Sequence, residues 1–140
     1  MTKQIPATLI AVVSDLVSAE ETHASLDSLF MYAEASGDPP EGSKHVKAQA
    51  WLRNTNKVHT EPLSVLAKII APYLEDPVMA ADYEPPQWTT EDERTTKKRS
   101  NVRRIEELLA RNGLSYRMGG FITQGGMAPS KYASGNPNLR

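Results

Sequence analysis

The chain has 140 residues, a formal net charge of −1, 39% apolar residues and no cysteine. That length fits one domain of ordinary size. The charge gives no overall pull toward nucleic acid or membrane, and the missing cysteine removes disulfides, thiolate metal sites and cysteine nucleophiles together.

The opening "MTKQIPATLIAVVSDLV" is interrupted by Pro6 and Asp15. It lacks the pattern of a secretory leader and the length of a membrane span, so a cytoplasmic location and no membrane partner are expected. Pro6 suits a first helical turn, and Leu9, Ile10, Val13, Leu16 and Val17 recur at helical spacing to about Ala19. A second helix is expected from Thr22, with Leu26, Leu29 and Phe30 on one stripe. The run "ASGDPPEGS" ends it, because Gly37 stops a helix and Pro39 and Pro40 prevent its restart.

Ser43 can cap a third helix, "KHVKAQAWLRNTN". Its pattern turns Val46, Ala50 and Trp51 inward, leaves Lys44, Lys47 and Arg53 outside, and ends at Asn54 and Asn56. Thr60 is the expected cap of a fourth helix, with Glu61 and Pro62 in its first turn. Leu63, Leu66, Ile69, Ile70, Tyr73 and Leu74 form its apolar stripe, and Pro72 should kink or end it. The stretch "EDPVMAADYEPPQW" is acidic, proline-rich and aperiodic, hence a loop.

Next comes "TTEDERTTKKRSNVRRIEELLARNG", a long polar helix with Thr89 and Asp92 at capping-box spacing. Val102, Ile105, Leu108 and Leu109 are its apolar stripe. Before about Ser100 it has none, so that half is expected to be solvated or irregular. Gly113 then supplies a left-handed cap, allowing Leu114 to fold back onto Leu109. "LSYRM" and "FIT" flank Gly119-Gly120, a two-residue hairpin signal. These glycines follow a helix instead of linking a strand to one, so they are chain reversals and not a phosphate loop. Trp51 and Trp88 are the expected aromatic anchors.

The expected fold is therefore mainly α: one compact domain over residues 1–123, with about five helices and a small C-terminal β-hairpin, a winged-helix-like end. Residues 124–140, "QGGMAPSKYASGNPNLR", read as a flexible tail or linker, and the chain as a fragment or the front of a longer protein. The helix stripes of Leu66, Ile69 and Tyr73 and of Ile105, Leu108 and Leu109 are expected to close on one another.

Candidate chemistry is sparse. His23, His45 and His59 lack the spacing of a helical metal pair, and surface positions are expected for them. His23 does lie near Glu20, Glu21 and Asp27, so a weak cation site is conceivable there. No Gly-x-Ser-x-Gly occurs. The carboxylate pairs sit among arginines, and Glu107 with Arg111 has the spacing of a surface ion pair. No enzyme, cofactor or metal is expected. Charge alternates along the chain, acidic over 1–43, basic over 44–73, acidic over 74–95 and basic over 97–117. Segments that complement each other explain this pattern. The alternative is a nucleic-acid-binding face built from Lys97, Lys98, Arg99, Arg103, Arg104 and Arg117, with the arginine-bearing hairpin as a wing.

Two segments, "SLDSLFMYAEASGDPPEGSKHVKAQAWLRNTNKVHTEPLSVLAKIIAPYLED" and "RIEELLARNGLSYRMGGFI", carry a resemblance. The "SLF" helix, the Gly-Ser-Lys helix start, "WLR" before an asparagine, "PLSVLAKII" and the closing "GLSY..GG" turn resemble the N-terminal helical domain of AbiJ-type abortive-infection proteins. The likeness covers roughly residues 5–123. It implies a role in bacterial defence against phage. In that family the killing activity belongs to a C-terminal ribonuclease-like HEPN domain with an Arg-x-x-x-x-His motif. Here "RRIEEL" has no histidine at that offset, and Arg53 and His59 stand one residue too far apart. The resemblance thus implies a sensor or adaptor with an effector domain or protein as its partner, and it brings no catalytic residues.

Overall fold

The computed structural model describes residues 4–124. Among them are five α-helices: α1 (Ala7–Glu20), α2 (His23–Tyr32), α3 (Lys44–Val58), α4 (Pro62–Leu74) and α5 (Glu93–Arg111). A single 3-10 turn, Pro77–Met79, follows α4. An antiparallel hairpin of β1 (Leu114–Arg117) and β2 (Phe121–Gln124) closes the fold. The mainly helical class with a small C-terminal hairpin is as expected. The boundary at 123 moves by one, since Gln124 pairs with Leu114. The rest of the expected tail, 125–140, lies outside the described residues.

Each helix starts for a local reason. Thr22 and Ser25 form a reciprocal capping box on α2, and Ser43 Oγ accepts from the Val46 amide on α3. α4 begins at Pro62 with Glu61 at its cap and no side-chain bond there, so Thr60 is not its cap. Proline at the first position needs no donor, which makes a capping oxygen less necessary. Pro72 stays inside α4, which ends two residues later at Leu74.

Helix α3 departs from its expected face. Trp51 is fully buried with Ala48, Leu52 and Thr55, yet Val46 is 52% exposed and Lys47 is buried. The cause is the neighbouring helix. Lys47 Nζ lies 3.0 Å from Asp27 Oδ1 and 3.1 Å from His23 Nδ1, both on α2. A polar patch on α2 thus draws the lysine in and leaves the valine out. The helix also outruns its asparagines. Asn56 reaches sideways, accepting from the Ile5 amide at 2.8 Å and donating to the Ile5 carbonyl at 3.0 Å. Those two bonds hold the segment before α1 much as a strand would. Asn54 Nδ2 donates to the Ser36 carbonyl at 2.8 Å, tying down the loop after α2.

One core joins α1 through β1. Leu9, Leu16, Leu26, Phe30, Trp51, Leu66, Ile69 and Ile105 are fully buried in it. The Phe30 and Trp51 rings lie 5.0 Å apart with their planes tilted by 33°, within the contact range of paired aromatic rings. Trp88 takes no part; it is 86% exposed in the loop before α5. Both expected stripes are buried in this core. However, the main neighbours of α5 are α1 and β1, while α4 lies against β2, α2 and α3. The two stripes therefore close through α1 and the hairpin more than on each other.

Helix α5 is regular from its first residue, and of the two expected alternatives for its first half, solvated or irregular, the exposed Glu93, Arg94, Thr96, Lys97 and Ser100 match the solvated one. Asp92 is the cap, its Oδ1 accepting from the Thr95 amide at 2.8 Å. The inward-facing polar residues then find acids. Lys98 Nζ lies 3.8 Å from Glu20 Oε1 and 3.6 Å from Asp76 Oδ2, and 5.7 Å from the Tyr73 ring centre. Arg99 donates to the Val78 carbonyl, pairs with Glu91 at 2.6 Å and lies over the Tyr83 ring. This half of the helix is held by charge pairing in place of apolar contact.

Candidate recognition surface

The basic residues of 97–117 divide into two groups. Lys98 and Arg99 are engaged inside the molecule, Lys98 across α1 and the turn after α4, Arg99 on the loop before α5. They are not available as a phosphate-binding pair, which removes two of the six candidate nucleic-acid contacts. Lys97, Arg103, Arg104 and Arg117 are exposed. Glu107 pairs with Arg104 at 3.9 Å, so its partner lies one turn before it and not, as expected, one turn after it at Arg111. Arg103 and Arg104 point about 100° apart around the helix axis. Arg103 lies on the side of Glu106 and Ala110, which border a groove against Leu114 and Tyr116 of β1.

The hairpin is the more organised surface. Its reversal takes three residues, Met118 to Gly120, not two. Gly119 and Gly120 have φ of +97° and +88°, a conformation that a side chain at Cβ opposes. Register puts Arg117 opposite Phe121 and Ser115 opposite Thr123, and directly paired residues share a face. The other face carries Leu114, Tyr116 and Ile122, which lie on the core. Consequently Arg117, Phe121, Ser115 and Thr123 look outward, with Met118 at the turn. Phe121 is 63% exposed and Met118 75%. A Cβ on Gly119 would come within 3.1 Å of the Phe121 ring, so the glycine leaves that ring its place.

Beneath this face the turn is pinned. The Tyr116 hydroxyl donates to the Glu75 carboxylate, and Glu75 Oε2 also accepts from the Gly119 amide at 2.8 Å. The Tyr116 bond first, then the Gly119 amide, hold the Glu75 carboxyl below its ordinary range. Burial, then the same bond, push the Tyr116 hydroxyl up to about 12. Glu75 is the first residue after α4, so the hairpin turn is fixed to the helix it covers. Nothing in the sequence pattern singled out Glu75, because its partners lie about 40 residues away.

A polar recess of about 280 Å³ opens where the end of α1, the 3-10 turn and the start of α5 meet. Its ionisable groups are Glu20, Asp76, Asp92, Arg94 and Lys98. Glu20 faces Arg94 at 3.5 Å as well as Lys98, and Asp76 accepts from the Val78 amide at 3.0 Å. Hydrogen bonds from Thr95, backbone first, hold the Asp92 carboxyl below its ordinary range. Each acid is thus already paired or bonded, which makes the recess a structural junction. Tyr73, behind it, donates to Glu21; burial, then that bond, raise the pKa of its hydroxyl.

The histidines are dispersed and each has a local role. His45 Nε2 meets Asp15 Oδ1 at 2.7 Å, joining α3 to α1. His59 Nδ1 accepts from the Glu61 amide at 2.8 Å. The acids near His23 surround no vacant cation site, since the Lys47 ammonium already lies between His23 and Asp27. Among the described residues no three of His, Asp and Glu gather as a metal site would require, and no helix is long and apolar enough to cross a membrane. Compared with protein-family models, curated proteins and solved structures, the chain matches none.

Proposed function

We propose that the chain is a non-enzymatic sensor or adaptor module of a bacterial abortive-infection system, working in the cytoplasm N-terminal to or beside an effector. The resemblance to AbiJ-type N-terminal domains motivates the defence setting. One observation carries the recognition role: the outward hairpin face, where Arg117, Met118 and Phe121 stand exposed above a turn fixed by Glu75. Arginine, methionine and aromatic side chains are enriched at protein interfaces. A face held in place before contact also avoids much of the ordering cost of binding. The test is to count plaques on cells carrying the gene with its flanking coding sequence. A fall in titre for some phage is the expected result. Equal titres across a broad phage panel would overturn the reading.

A second reading has its own observation. Lys97, Arg103, Arg104 and Arg117 remain exposed on a helix followed by a hairpin, the order in which a winged helix presents its basic groups. Four phosphate contacts would give a slope of about −4 in log affinity against log salt. Retention on duplex DNA with that slope, falling when Arg103, Arg104 and Arg117 become alanine, would establish this reading over the first. No retention at low salt would remove it.

A further inference from the structure

A second exposed patch lies at the end of α2. Met31 and Tyr32, the last residues of α2, are 61% and 71% exposed. Glu34, Asp38 and Glu41 follow in the loop, all exposed, and none forms an ion pair among the described residues. This patch is apolar and acidic. The hairpin patch is apolar and carries Arg117, with no acid on its outward strand face, and Arg103 stands exposed on α5 one turn from Glu106. Each therefore offers what the other lacks: a large hydrophobic surface with charge of the opposite sign.

The two patches cannot satisfy each other within one copy. The loop after α2 is fastened to α3, through Asn54 to the Ser36 carbonyl and through the Ser36 amide to Thr55 Oγ1 at 3.1 Å. The hairpin is fastened to α4 and α5. Both anchors are hydrogen bonds or core contacts, so neither patch can swing to the other. The net charge of −1 leaves little general repulsion between copies.

We infer that the chain associates with a second copy of itself, the acidic α2-end patch of one docking on the basic hairpin patch of the next. This rests on the hairpin being a recognition face, and it names one occupant of that face. Contact between two different patches is heterologous, so it extends to further copies unless rotation closes it into a ring. Because the charges are exposed, the association weakens as salt rises.

Sedimentation velocity of the purified chain at low salt tests this. Concentration-dependent species larger than the monomer are expected, and their loss at high salt. Asp38→Lys with Glu41→Lys should leave only monomer, as should Arg103→Glu with Arg117→Glu. Mixing the two variants should restore a complex, because the hairpin patch kept by the first meets the acidic patch kept by the second, and the two reversed patches are again opposite in charge. The first variant leaves the hairpin untouched. Phage protection that persists in it while association is lost would separate this inference from the broader recognition reading. A monomer at every concentration and salt, or association that survives both reversals, would overturn the inference.

Discussion

The buried ion pair between α2 and α3 makes an asymmetric prediction. The Lys47 side chain is 9% exposed and that of Asp27 30%, with 3.0 Å between their charged atoms. At an effective dielectric constant of about 20, that separation corresponds to roughly 5 kcal/mol of gross attraction. Desolvating the ammonium costs several kcal/mol in the opposite sense, so the net contribution of the pair is small. Lys47→Met removes charge and desolvation together, keeps most of the aliphatic packing, and leaves an aspartate that water can reach. Its stability should stay within about 1 kcal/mol of the parent. Asp27→Ala strands the buried ammonium beside His23 alone and should lose about 2–3 kcal/mol, below the full value for a sealed charge because some exposure remains. Urea unfolding followed by tryptophan fluorescence measures both, since Trp51 is buried and Trp88 already exposed. An Asp27→Ala stability within about 0.5 kcal/mol of the parent, the range of an ordinary surface change, would refute this view of the pair. A greater cost for Lys47→Met than for Asp27→Ala would refute it equally.

Glu34 has φ of +67° at the position after the C-cap of α2 where glycine is usual, and its own amide and that of Ala35 make the two bonds of a Schellman cap, to the Met31 and Phe30 carbonyls. Glu34→Gly should therefore stabilise by about 1 kcal/mol, read from the urea midpoint. Ser14 Oγ is fully buried without a hydrogen-bond partner among the described residues, so Ser14→Ala should raise stability by about 1 kcal/mol instead of lowering it. The Glu75 pKa is depressed, so its contribution is present above the ordinary carboxylate range and lost as pH falls through the lower folded value. The Tyr116 pKa is raised, so its contribution holds below pH 10 and is lost as pH rises through about 12. Hydrogen exchange at the Gly119 amide should show both limits, corrected for the intrinsic pH dependence of exchange, and Glu75→Gln should abolish the acidic one.

Periodicity was enough to read the helices and the closing hairpin, because Leu66, Ile69 and Ile105 are simple apolar stripes that any core must absorb. Lys47 and Val46 changed places because that decision lies on α2, where Asp27 and His23 wait, and a stripe on α3 carries no record of its neighbour. The first half of α5 looked featureless for the same reason: Lys98 and Arg99 have partners in three separate segments. The size of Trp88 argues for burial, yet its proline-rich loop carries no apolar stripe to draw it in, and it is 86% exposed. Of the candidate site, Arg117 and the glycine turn were legible. The exposed aromatic face and its Glu75 anchor were not, since both follow from strand register and a long-range contact.

The proposed recognition role requires the outward hairpin face to serve contact and not folding. The direct measurement is Arg117→Glu combined with Phe121→Ser, assayed for thermal unfolding and for phage protection on the same protein. Both residues point into solvent, so a melting curve matching the parent is predicted, together with lost protection. Protection retained at the parent's level, or lost only in step with a lowered melting temperature, would contradict it.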